Sequence, residues 1–178
     1  MTLLLAWSPS DPMASPPDPM NATQFFLILK SLHVFGAILF LGNILLSGWW
    51  KIWADRDGDP KIVAFAQKLV ARNDFVFTSA GVVLILGSGI AMTALFRPEY
   101  LHAGWFAWGF WLFVASGAIW FGVLIPVQRR QSSLARGFAR GGTIPSLYWR
   151  LERVWMAAGV VAACLPLANL YWMVFKPY

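Results

Sequence analysis

Four apolar runs decide what this chain can fold into. Stretches of about 20 apolar residues, the length an α-helix needs to cross a hydrocarbon layer, lie near residues 25–49, 75–96, 105–127 and 154–175. Backbone in lipid must satisfy its own hydrogen bonds, so runs of this length cross as helices. The sequence therefore predicts an all-α fold, a four-helix transmembrane bundle over residues 23–178, preceded by a disordered N-terminal tail over 1–22. That tail is rich in Pro, Ser and Asp and has no basic residue ahead of its short "LLLAW" stretch, so it does not read as a secretory signal. Met13 and Met20 stand as alternative starts.

Composition agrees with the runs. Of 178 residues, 58% are hydrophobic and 12% charged, against about 25% charged in soluble domains. The net charge is +6, but the cations gather in two loops and not in aromatic-interleaved patches, which argues against a nucleic-acid partner. Loop 51–74 holds Lys51, Arg56, Lys61, Lys68 and Arg72. Loop 128–153 holds Arg129, Arg130, Arg136, Arg140, Arg150 and Arg153, and loop 97–104 only Arg97. The positive-inside rule then sets the two basic loops in the cytoplasm, and both termini and the 97–104 loop on the outer side. The basic loops would meet anionic lipid headgroups.

Within the first loop, Asp59 and Pro60 open a helix with Ile62, Phe65, Ala66, Leu69 and Val70 on one face, expected to lie along the membrane. Asp74 would then stand at the positive end of the second span, and Ser146 would cap the helix leading into the fourth. Small residues four apart, Ala118 with Gly122 and Ala158 with Ala162, are expected to let helices approach closely. Asn43, deep in the first span, should bond a neighbouring helix. The lone Cys164 lies in an apolar run and cannot form an intramolecular disulfide.

The stretch "LKSLHV" at 29–34 puts Lys30 and His33 three positions apart inside the first run. Residues at that spacing sit on nearly the same side of a helix. Both lie about 10 Å in from the start of the span at the helical rise. With the spans threaded alternately, Met92, Thr93, Arg97, His102, Asn169, Met173 and Lys176 reach the same half of the bundle. Two readings stay open. In one, Lys30 snorkels to headgroups and His33 is a neutral imidazole bonded to Ser31, Thr93 or Asn169. In the other, His33 ligates iron, as a metal ligand in a haem b or porphyrin site, with Met92, Met173 or His102 as second ligand and Lys30, Arg97 and Lys176 facing the propionates. Catalytic signatures such as HExxH and GxSxG are absent, and the carboxylates Asp55, Asp57, Asp59, Asp74, Glu99 and Glu152 read as loop residues, which leaves no proton relay in view.

Several motifs in order, "LKSLHVFGAILFLGNILLSGWWK", "ADRDGDP", "NDFVFTSAGVVLILGSGIAM", "PVQRR" and "YWRLERVWMAAGV", resemble the bacterial integral membrane family called domain of unknown function 2269, or DUF2269, across residues 25–177. That resemblance implies a multi-pass membrane protein and no established activity. A looser similarity runs to the four-helix membrane protoporphyrinogen IX oxidases, through Lys30, Leu32 and His33 and through Val174, Lys176 and Pro177, and to membrane proteins of the CopD type. The oxidases carry a lysine after a His-Ala pair, where this chain has Gly104 and Trp105 after His102 and Ala103. The resemblance thus implies porphyrin or haem binding more than oxidase activity. A non-catalytic membrane subunit or scaffold, in a homo-oligomer or larger membrane complex, and a transporter of a small molecule or metal are the alternatives.

Overall fold

In the computed structural model, residues 21–176 are described; the first twenty residues of the tail expected over 1–22, and Pro177 and Tyr178, lie outside them. The order is α1 (Ala22–Asp57), α2 (Pro60–Asn73), a π-helical turn (Asp74–Thr78), α3 (Ser79–Phe96), a 3₁₀ turn (Pro98–His102), α4 (Gly104–Ile119), a second π-helical turn (Trp120–Leu124), α5 (Ile125–Phe138) and α6 (Ser146–Phe175). Among the described residues there is no strand. Four continuous helices, Ala22–Asp57, Pro60–Phe96, Gly104–Phe138 and Ser146–Phe175, are long and apolar enough to cross a membrane.

Residues 21 and 22 do not belong to a disordered tail. Asn21 caps α1 in a reciprocal capping box with Gln24, its Oδ1 accepting from the Gln24 N–H at 2.8 Å while its own N–H donates to Gln24 Oε1 at 3.1 Å. At the other end Gly58 takes the left-handed conformation (φ 74°) that ends the helix.

The expected helix at the membrane face is instead the first part of the second spanning helix. Nothing breaks the chain between Asn73 and Ser79, both in right-handed helical geometry, so α2 runs into α3 and Asp74 sits mid-helix, away from any helix start. Its buried side is Val63, Ala64, Ala66, Gln67 and Val70, whereas Ile62 and Phe65 are exposed. Likewise α5 continues the third span, which shrinks the basic loop to residues 139–145. Ser146 is the first residue of α6 and Pro145 its cap position, without a side-chain cap bond.

The close helix approaches follow expectation at Ala162, which is buried with Ala158 packed against the same cluster, and differ from it elsewhere. Ala118 and Gly122 are exposed. The tight crossing is Gly36 of α1 against Gly81 of α3, where an added Cβ on Gly81 would stand 2.9 Å from the Gly36 carbonyl. Pro166 is accommodated inside α6 because Ser116 of α4 donates to the carbonyl of Ala162 at 2.9 Å. That carbonyl is the one Pro166 cannot serve, since it lacks an N–H four residues on.

The ends of the bundle are built differently. At the end carrying the basic residues, α1, α2, α5 and α6 pack together around Val63, Ala135, Phe138 and Tyr148, and then around Val70, Leu124 and Trp155. Toward the opposite end the bundle resolves into two pairs, α1 with α3 and α4 with α6. No Cα of α3 lies within 8 Å of α4 or α6, and none of α1 within 8 Å of α4. Phe40 and Phe113, ring centroids 5.8 Å apart, reach between the pairs.

Candidate functional site

His33 points from α1 into α3. Its Nδ1 lies 3.0 Å from the Ile85 carbonyl and 3.1 Å from Ser88 Oγ. The Ser88 hydroxyl donates to the Leu84 carbonyl within its own helix, so both partners of Nδ1 accept, and this network assigns the ring proton to Nδ1. Nε2 is left with a free lone pair, the arrangement in which a histidine can ligate a metal while a backbone carbonyl fixes its ring. Gly89 makes the room: a Cβ there would be 3.2 Å from the imidazole Cε1.

Lys30 does not share that side. It is exposed in a shallow groove on the outside of α1 with Leu27, Ser31, Val34, Phe35 and Ile38. The wheel explains the separation, because His33 continues the buried line of Leu29, Gly36 and Phe40, while Lys30 follows Leu27 and Val34. Ser31, considered as a partner for His33, instead donates to its own Leu27 carbonyl.

The remaining residues expected near His33 divide between the pairs. Met92 is half-buried on α3, one turn beyond Ser88. Met173 and Asn169 of α6 fill the notch over Gly109 of α4, where an added Cβ would come within 2.5 Å of the Met173 methyl. Arg97 is exposed and 3.6 Å from Glu99. His102 is exposed on the 3₁₀ turn. Lys176, in a left-handed conformation at the end of α6, stands over the rings of Tyr100 and Trp105 at 5.0 and 5.1 Å.

The densest polar chemistry lies at the basic end, and it corrects the reading of the carboxylates as loop residues. Asn43, Ser47, Lys51 and Asp55 recur every four residues on one side of α1. Asn43 Nδ2 donates to Asp74 Oδ1 at 2.8 Å and to Thr78 at 2.9 Å, and Gln128 Nε2 donates to Asp74 Oδ2 at 2.7 Å. One layer further out, Lys51 is fully buried and reaches Glu152 at 2.7 Å, Asp55 at 3.0 Å and the Tyr148 hydroxyl at 2.8 Å. The Tyr148 hydroxyl in turn donates to Gln67 Oε1 at 3.3 Å. Gln131 Nε2 donates to Glu152 Oε2 at 2.6 Å. Glu152 precedes the apolar run that starts at residue 154. Burial pushes its carboxyl up, and the Lys51 ammonium opposes that rise.

With the fold and these contacts in view, residues 27–177 match the family described as predicted integral membrane protein, DUF2269. The chain belongs to that family. No curated protein and no solved structure matches it. This DUF2269 chain is thus an integral membrane protein whose two polar centres sit in opposite halves of one bundle. Sequence reasoning missed the centre at the basic end because loop cations were counted only for orientation. The four-residue spacing of Asn43, Ser47, Lys51 and Asp55 was the available signal.

Proposed function

We propose that this bacterial cell-membrane protein binds a haem or porphyrin in the half of the bundle away from the basic loops, with His33 as axial ligand and a redox role. The observation that carries the reading is the Nδ1–H of His33 held by Ile85 and Ser88, which frees Nε2. The separation of the α1/α3 and α4/α6 pairs in that half supports it, as does Met92 on the α3 side that carries Ser88 and Gly89. A bound haem would supply one-electron chemistry; Ile85 and Ser88 would hold the ligating ring. Lys30, on the outer side of α1, is better suited to lipid phosphate than to this site.

The test is an absorption spectrum, oxidised and dithionite-reduced, of detergent-purified protein beside His33→Ala. A Soret band lost in the variant supports the reading. A spectrum without any chromophore after expression with added haem precursor sinks it.

In the same reading the basic loops face the cytoplasm and meet anionic headgroups, following the charge bias of the loops. Single cysteines at positions 99 and 140, in a Cys164→Ala background, test this: only position 99 should label from outside intact cells.

A non-catalytic subunit is the second reading. It is favoured by an apolar groove between α1 and α2, lined by Trp50, Trp53, Ile62, Phe65 and Leu69. Crosslinking from position 65 in membranes, with no product, would count against it.

A further inference from the structure

A hydrogen-bond count around Lys51 closes everywhere but at one point. The Lys51 ammonium donates to both Asp55 oxygens and to Tyr148, and is ion-paired with Glu152 Oε2. The Tyr148 proton goes to Gln67 Oε1, and the Gln67 amide donates to the Gln128 carbonyl and Ser132. Gln131 Nε2 donates to Glu152 Oε2. What remains are Glu152 Oε1 and Gln131 Oε1, both buried and without a partner. Gln131 is fully buried and Glu152 is 6% exposed.

Glu152 Oε1 is thus a buried carboxylate oxygen that no donor meets. An unpaired buried acceptor costs its desolvation, and a charged one costs more than a neutral one. A proton on Glu152 Oε1 neutralises the buried carboxylate, and leaves Oε2 free to keep its contacts with Lys51 and Gln131. Charge balance agrees. The groups facing Glu152 are Lys51 and Asp55 from α1 and Tyr148 from α6, with the neutral amides Gln67 from α2 and Gln131 from α5. One ammonium against two carboxylates leaves one surplus negative charge in a buried place, which a proton cancels.

The geometry points to Glu152 as a proton-binding site, loaded from the basic end of the bundle, where the Asp55 side chain is 14% exposed. Loading forms the Glu152 Oε1–H bond and breaks the O–H bond of a buffer acid in solvent; Lys51 stays an ammonium throughout. The site is independent of any haem at His33, since it occupies the other half of the bundle.

The experiment is infrared difference spectroscopy during a pH titration of the full chain in lipid nanodiscs. The expected result is a protonated-carboxyl C=O band that titrates in the wild type, remains in Asp74→Asn and is absent in Glu152→Gln. In Asp55→Asn the surplus charge is removed, and the midpoint should fall by about one pH unit or more. This second variant carries the test if Glu152→Gln does not fold. A titrating band that survives Glu152→Gln, or a midpoint unmoved in Asp55→Asn, overturns the proposal.

Discussion

The hydroxyl of Ser116 donates to the carbonyl of Ala162 at 2.9 Å, across the α4–α6 contact. Because Pro166 has no N–H, this bond serves a buried carbonyl that would otherwise be orphaned. Ser116→Ala should destabilise the protein by about 1–3 kcal/mol, the cost of an unmet buried acceptor. Adding Pro166→Ala should recover most of that loss, because the restored N–H bonds Ala162 from within α6. Thermal unfolding in detergent of the single and double variants checks it, and a double variant no better than Ser116→Ala would contradict it.

Lys51 gives the second prediction. Removing one partner of a buried ion pair strands the other, so Lys51→Ala should cost about 3–5 kcal/mol. Replacing the charged group together, as Lys51→Met with Asp55→Asn and Glu152→Leu, should restore most of the stability. If the triple variant is as unstable as Lys51→Ala, the loss comes from packing and not from stranded charge.

A third prediction concerns backbone approach. A Cβ on Gly81 would meet Gly36 and Phe40 backbone atoms at 2.9 Å, whereas one on Gly87 meets nothing within 4 Å. Gly81→Ala should therefore force α1 from α3 and cost about 1–3 kcal/mol, with Gly87→Ala neutral or slightly stabilising. Equal effects from the two substitutions would exclude a tight α1–α3 crossing as the cause.

The pH dependence follows from Glu152. Its carboxyl is raised in the folded protein, above about 4.3 in an unfolded chain. The folded state then binds more protons than the unfolded state between those two values, so the contribution of Glu152 to stability is greatest below about pH 4.3 and declines as pH rises through the folded value. The wild type should lose more thermal stability than Glu152→Gln across that window. Parallel curves would remove Glu152 as the source.

The spans were legible because hydropathy acts over whole runs, and all four runs cross as helices. Asn43, expected to bond across helices, does so with Asp74 and Thr78. Helix length beyond the apolar runs was not legible. The polar residues Gln67, Asp74, Gln128 and Gln131 look like loop composition, and only their partners on other helices let α2 and α5 extend the spans. The "LKSLHV" stretch was ambiguous for a related reason: a three-residue offset of 300° leaves room for Lys30 and His33 to fall on opposite sides of a boundary. That boundary is set by where α3 packs, which the stretch does not encode.

The most direct test of the His33 site uses the fact that the chain has two histidines. Nitrogen NMR of ¹⁵N-histidine-labelled protein in nanodiscs, with His102→Gln for assignment, reads the tautomer of His33 and its response to added haemin. The predicted result is a neutral ring protonated at Nδ1, with the His33 Nε2 signal lost or strongly shifted by haemin. A ring protonated at Nε2, or a His33 spectrum indifferent to haemin, would contradict it.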